Sequence, residues 1–337
     1  MPISRSLFAF ALVFSCLLSA SGVEVTNSPS AATEQSLNFV QQRLAKTISD
    51  ATWFTRLQGL AIVDKIRFVG PPPRNPVQRR ITTNGVIIPA YTFLPARKIR
   101  GKLPLIVLLH TEVHGDFNPD DDFRVTRELV EQGYAVIAPD YRGSTGYGGD
   151  FWRLIDYGGL EVDDVWLARE WMLAHHRNID PARVGIMGWS HGGAIALLNV
   201  FRHPNDYAVC YAGMPVTDLP YRLKQKEKDY RDLFSAPYHI GAQLEDNTAE
   251  YLRRSPVAQV GNLRCPLLLH AVSNDEDVSQ AEVERLAVAL RNAGKTFEYK
   301  LYTNAPAGHA FNKLDTAEAE RSRREIYAFF ARILKPR

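Results

Sequence analysis

The chain has 337 residues, 45% of them hydrophobic and 23% charged. This composition supplies enough apolar surface for a large core and excludes a disordered chain. Forty basic and 37 acidic residues leave a net charge of +3, too near neutral for a nucleic-acid groove, and three cysteines exclude a small disulfide scaffold.

Residues 1–22 read as a secretory signal. Arg5 makes the start positive, Leu7–Leu18 is an apolar run broken only by Ser15 and Cys16, and Ala20 and Gly22 are small residues before a cut at Val23. The run is too short for a mature membrane span. A secreted or periplasmic protein is therefore expected; lipid anchoring at Cys16 is the weaker option, because Val13-Phe14-Ser15-Cys16 fits a lipobox only loosely. Export permits disulfides, yet Cys210 and Cys265 fall at strand positions too far apart to bridge, which predicts two buried free thiols.

Residues 23–75 read as an N-terminal extension and proline-rich linker. Leu37, Val40, Leu44 and Ile48 repeat at helical spacing within 36–69, and that stretch is expected to pack against the main domain. Gly70-Pro71-Pro72-Pro73 breaks any helix and places the main domain at 76–337. Ile81 to Pro89 reads as a hairpin turning at Asn84-Gly85. Apolar strands then alternate with amphipathic helices. The strands are Leu105–Leu109, Tyr134–Ala138, Val184–Met187, Tyr207–Tyr211, Leu267–Ala271 and Phe297–Tyr302. The helices are Phe123–Glu131, Glu161–His175, Gly192–Phe201, Gln280–Arg291 and Ala317–Leu334. This alternation predicts an α/β fold: a doubly wound, mostly parallel sheet with helices on both faces.

The strongest chemical signal is Gly188-Trp189-Ser190-His191-Gly192, a G-x-S-x-G sequence between an apolar strand and a small-residue helix. Glycines permit a turn so tight that the serine is pushed out over the sheet edge at a helix N-terminus. A serine hydroxyl needs a base. In this arrangement the acid and histidine follow in chain order at later strand ends, which selects Asp275 and His309, with Asp277 a second candidate for the acid. Among the other histidines, His175, His176, His203 and His239 read as solvated and His270 as a hydrogen-bonded core residue. His110, His114 and His191 read as lining the pocket mouth. No metal-binding spacing such as H-E-x-x-H occurs, so no metal and no cofactor are expected.

The chain resembles the catalytic domain of the prolyl oligopeptidase family of serine peptidases, an α/β-hydrolase fold. The resemblance rests on Asp140-Tyr-Arg-Gly-Ser-Thr-Gly-Tyr-Gly148, Gly158-Gly-Leu-Glu-Val-Asp-Asp-Val165 and Asp180-Pro-Ala-Arg-Val-Gly185. It continues through the serine motif, Ser255-Pro256 and Gly308-His-Ala-Phe311. These blocks occur in family order across roughly 77–335. The resemblance implies Ser190 as nucleophile, Asp275 as orienting acid and His309 as base, with the backbone N–H groups of Thr111 and His191 as oxyanion donors.

Three departures stand out. His110-Thr111-Glu112-Val113 replaces the family's His-Gly-Gly-Pro. The acid loop, His270-Ala-Val-Ser-Asn-Asp275-Glu-Asp277, has altered spacing, and counting forward from His270 reaches Asn274. Only about 50 residues separate the signal from the domain, which leaves no room for the β-propeller of many members. Glu112 is an expected partner for a substrate's free α-amine. Tyr147, Trp152, Met214, Pro215 and Val216 are expected pocket walls because they follow strand ends. Residues 217–255 interrupt the alternation as a lid, and Tyr221–Asp232, with five basic and three acidic residues, reads as a solvated face. The partner implied is a peptide or small acyl substrate, with no nucleic acid and no membrane span after signal removal. Peptidase, carboxylesterase and catalytically decayed binding protein remain the readings to separate.

Overall fold

The computed structural model describes residues 31–337, and side chains from Asn38 onward. The expected signal segment and Cys16 lie outside the described residues. Residues 39–337 form one compact unit; of the unit before it, only Ala31–Asn38 is described.

A helix, α1 (Ala31–Arg56), precedes β1 (Ala61–Gly70), β2 (Val86–Pro95) and β3 (Leu103–Leu108). There follow α2 (Phe123–Glu131), β4 (Ala135–Pro139), the single turn α3 (Gly149–Trp152), α4 (Leu160–His175), β5 (Ile179–Trp189), α5 (Ser190–Arg202) and β6 (Val209–Gly213). Three short helices, α6 (Leu219–Leu223), α7 (Lys228–Ser235) and α8 (Thr248–Arg253), interrupt the rhythm. The chain closes with β7 (Leu267–Val272), α9 (Gln280–Asn292), β8 (Glu298–Tyr302) and α10 (Ala317–Leu334). The eight strands form one sheet in the order β1-β2-β4-β3-β5-β6-β7-β8. β2 runs antiparallel to β1 and β4, and every pairing from β4 onward is parallel. The central strands are buried on both faces, which is why their sequences are continuously apolar. α4, α5 and α9 cover one face, and α1, α2 and α10 cover the other. Among the described residues no helix is long and apolar enough to cross a membrane.

The expected hairpin does not form. Gln78–Arg80 make a 3-10 turn, and Asn84-Gly85 simply lead into β2. The partner of β2 is β1, paired from Ala61↔Pro95 to Gly70↔Val86. The prolines between them lack N–H donors and connect two strands that pair with each other within the unit of residues 39–337.

α1 also turns the other way from expectation. Val40, Leu44 and Ile48 are 55%, 62% and 69% exposed. The face turned inward carries Phe39, Arg43, Lys46, Asp50, Trp53 and Leu57, a three-four spacing that mixes charge with aromatic rings. Trp53 is fully buried, stacked on Phe117 at 5.0 Å and edge-on to Phe93 at 5.1 Å. Large rings bury more area than the aliphatic stripe could, so they choose the face.

Cys210 and Cys265 are buried and unbonded. His270, on β7, is held at Nδ1 by the Tyr211 hydroxyl at 3.2 Å and lies 3.3 Å from Ser322 Oγ. Burial pushes its pKa down to about 3.

Two outcomes follow. Trp53→Ala costs about 3–5 kcal/mol in a thermal or urea melt, whereas Leu44→Ser stays within about 0.5 kcal/mol. Because His270 is depressed when folded, its contribution is complete above the ordinary pKa near 6.5 and is lost as pH falls toward about 3. His270→Gln therefore gives a shallower decline of melting temperature between pH 6.5 and 4 than the parent protein.

Candidate active site

β5 ends at Trp189 and α5 begins at Ser190 with no connecting residue. Ser190 has φ +52°, a left-handed conformation that a side chain adopts only under constraint. Both neighbouring glycines are required by contact. A Cβ at Gly188 would lie 2.5 Å from the Gly192 carbonyl, and one at Gly192 would lie 2.5 Å from the His110 oxygen. The elbow is thus wedged against the segment that follows β3. Val216 N–H donates to the Ser190 carbonyl at 3.3 Å from the next loop.

Three side chains meet at this edge. His309 Nε2 stands 2.9 Å from Ser190 Oγ, and His309 Nδ1 stands 2.7 Å from Asp275 Oδ2. A carboxylate at Nδ1 assigns the proton to that nitrogen and leaves Nε2 to accept from the serine hydroxyl. Asp275 is itself fixed, its Oδ1 accepting from the N–H groups of Asp277 and Val278 at 2.9 and 2.8 Å. Asp277 does not reach Nδ1; its Oδ2 lies 3.5 Å from Nε2. Asn274 turns away to donate to the Ala305 carbonyl. Among the described residues the Thr111 N–H has no acceptor. The His191 N–H lies in the first turn of α5, where no intrahelical acceptor exists.

The histidines near the elbow are structural. His110 stacks on Tyr141 at 4.1 Å and its Nε2 meets Ser144 Oγ at 2.9 Å; burial pushes its pKa down to about 3. His114 stacks on Trp152 at 3.8 Å, and burial lowers it to about 4. His191 is buried with Nε2 3.1 Å from Glu161 Oε1, an oxygen that accepts from the Gly158 N–H. His239, expected in solvent, is instead buried and accepts the Tyr157 N–H at 3.1 Å. Among the described residues no cluster of His, Cys, Asp and Glu is arranged for a metal.

The expected pocket walls fare unevenly. Trp152 presents a half-buried ring beside the 110–115 loop. Met214 and Val216 are buried in the two core layers because the strand end points them inward. Tyr147 donates to Asp140, and its ring lies under Lys46 and Lys65, so it holds the loop instead of lining a pocket. Glu112 is engaged by Lys313 at 2.7 Å, and Lys313 also reaches Asp121 at 2.9 Å. One ammonium is thus shared by two carboxylates, and Glu112 stays half exposed.

Two supporting cations escape sequence reasoning. Lys46, on α1, is 4% exposed and its ammonium contacts Asp116 at 2.8 Å, Asp140 at 2.9 Å and the Phe117 carbonyl at 2.8 Å. Burial opposes its charge, but Asp140 and Asp116 outweigh this and raise its pKa. Asp140 also accepts the Phe117 N–H at 2.6 Å. The loop carrying Thr111 is thereby pinned from beneath by the N-terminal helix. Arg222, in the supposed solvated face, is also buried. It donates to the Asp277 carbonyl at 2.7 Å, to the Asp277 carboxylate, and to Glu282 at 3.1 Å. It clamps the 217–255 insertion onto the acid loop.

Removing Lys46 leaves two buried carboxylates without their cation. Lys46→Met costs about 3–5 kcal/mol of stability. At temperatures where the variant is still folded, it lowers kcat for an ester substrate more than it changes KM; Lys46→Arg restores part of kcat.

A sequence profile of the prolyl oligopeptidase family matches residues 121–337. Human acylamino-acid-releasing enzyme is 27% identical over 293 residues, covering 85% of this chain and 38% of that enzyme. Dipeptidyl aminopeptidase BIII of Pseudoxanthomonas mexicana is 25% identical over 265 residues, 73% of this chain and 37% of the relative. The chain thus spans under two fifths of the length of these relatives. In three dimensions it is similar to a Mycobacterium tuberculosis puromycin-hydrolyzing peptidase, with a TM-score of 0.67, 23% identity, and 81% and 40% of the two chains covered. It is also similar to Pyrococcus horikoshii acylaminoacyl peptidase, with a TM-score of 0.67, 19% identity, and 86% and 44% covered. These likenesses assign the α/β-hydrolase fold, and the matched profile, which spans well over half of the sequence and includes the serine elbow, places the chain in the prolyl oligopeptidase family.

Proposed function

We propose that the chain is a secreted serine peptidase that cleaves peptide or aminoacyl amide bonds through an acyl-enzyme. The observation that carries this reading is the continuous Ser190–His309–Asp275 contact at a strained strand-to-helix turn. Its mechanism follows from the geometry. His309 Nε2 takes the Ser190 proton as Oγ attacks the carbonyl carbon. Asp275, held by two backbone N–H groups, orients the ring and stabilises the imidazolium that forms. The N–H groups of Thr111 and His191 hold the developing oxyanion in a site pre-set by packing. Collapse of the tetrahedral species expels the amine with the proton from His309, and water then releases the acyl group.

The relatives named for acylamino-acid release and dipeptide release support amide cleavage, as does the family assignment. The positive start and apolar run within residues 1–22 support export. Ester hydrolysis uses the same steps, so the triad alone does not rank the two substrates.

The test is kcat/KM on matched ester and anilide substrates sharing one acyl group. The peptidase reading expects anilide turnover at rates near those of the ester; turnover of the ester alone would make the chain a carboxylesterase. Ser190→Ala lowers kcat on either substrate by about 10⁶-fold. Undiminished turnover in that variant would remove Ser190 from the chemistry.

A further inference from the structure

Beside His309 lies an open cavity of about 540 Å³ lined by Lys226, Asn274, Glu276, Asp277, Ala307 and His309. Its position relative to the triad gives it a role. The proton that His309 carries on Nε2 is delivered to the departing group, so that group lies against Nε2. Asp277 Oδ2, on the cavity wall, is 3.5 Å from the same nitrogen. The cavity therefore adjoins the place that the leaving group occupies.

Its wall carries one cation, Lys226, and two carboxylates, Glu276 and Asp277. Asp277 is positioned by Arg222, which binds its carbonyl and its carboxylate and is shared with Glu282. Lys226 is a second, looser cation beside Asp277, paired with its Oδ1 at 3.9 Å. Among the described residues its ammonium has no hydrogen-bond acceptor. The Tyr230 ring lies 5.4 Å from the ammonium and steadies it without neutralising it. A lysine at the rim of a catalytic cavity whose ammonium is only loosely paired and makes no hydrogen bond among the described residues is suited to a substrate carboxylate. Asp277 is suited to the amine that appears when the amide breaks. The two groups are close enough to engage the two ends of one amino acid.

We infer that this cavity is a leaving-group site for a free amino acid or very short peptide, with Lys226 binding the substrate's C-terminal carboxylate. The inference rests on the peptidase reading above and narrows it to substrates that end one or a few residues beyond the cleaved bond. The step balances. The Ser190 Oγ–carbonyl bond forms and the C–N bond breaks. The serine proton passes through His309 to the departing nitrogen. The free amino acid leaves with its amine beside Asp277 and its carboxylate on Lys226, and water later hydrolyses the ester on Ser190.

The experiment uses the acyl residue that the anilide panel cleaves fastest. That residue is joined to alanine, once as the free acid and once as the C-terminal amide, and kcat/KM is measured for both beside the anilide. The free acid is expected to be cleaved roughly tenfold better than the amide, the scale of one charge-assisted hydrogen bond. In Lys226→Gln the ratio collapses toward one, and in Lys226→Glu it inverts in favour of the amide. Melting curves of both variants verify folding, and either variant alone carries the test. Equal cleavage of acid and amide by the parent protein, or a preference that survives both substitutions, overturns the inference and leaves the peptidase reading intact. Failure to cleave any amide, with esters still hydrolysed, overturns the peptidase reading and the inference with it.

Discussion

The close approach of three backbone segments at Ser190 is the constraint on which the site depends. Gly188 touches Gly192, and Gly192 touches the carbonyl of His110. One side chain at either glycine would separate β5, α5 and the loop after β3. That contact places Ser190 in a left-handed conformation, sets the first turn of α5 beneath it and brings the Thr111 segment alongside. The sheet order serves the same end. β3 and β6 flank β5, so the loops that follow all three strands meet at one edge. β7 and β8 bring Asp275 and the His309 turn to that edge from one side.

Around this backbone junction the supports are ionic. Lys46 gathers Asp116 and Asp140 under one loop, Arg222 gathers Asp277 and Glu282 under another, and Arg142 makes a fully buried bidentate pair with Asp164 at 2.7 Å. A buried ion pair is weak evidence for stability, because desolvation offsets much of the attraction. Its geometric demand is stricter than that of an apolar contact. The Lys46 and Arg222 groups fix the loops after β3 and β7, and the Arg142 pair ties the loop after β4 to α4. The loops need fixing because they leave the sheet and lack a ladder of their own.

The central strands and the five long helices after residue 122 were legible because periodicity is a local signal. Phe123–Glu131 and Ala317–Leu334 have the bounds that their sequences predict. The elbow was legible because only glycine tolerates those contacts. The rest was hidden for identifiable reasons. β1 reads as part of an extension because its burial alternates irregularly and its partner lies beyond three prolines. The stripe at Val40, Leu44 and Ile48 has the right spacing, but Trp53 and Lys46 win the competition for the interior. Nothing in the charged run at Tyr221–Asp232 marks Arg222 as the buried one, since its partners are 55 and 60 residues away. Met214 and Val216 follow a strand end as pocket residues do, yet the turn points them into the core.

The ladder between β1 and β2 has a consequence for where this protein can be cut. The region that the family profile matches starts at residue 121, after β3 and after Thr111. A recombinant fragment trimmed to that region would lose three of the eight strands and uncover both edges of β4 and one edge of β5. Unpaired edges of apolar strands are templates for aggregation. It would also lack the Lys46 ammonium and the Thr111 amide, one of the two proposed as oxyanion donors. The segment that resembles the family most strongly is thus smaller than the unit that folds, and an expression boundary placed upstream of α1 respects the physics of the sheet.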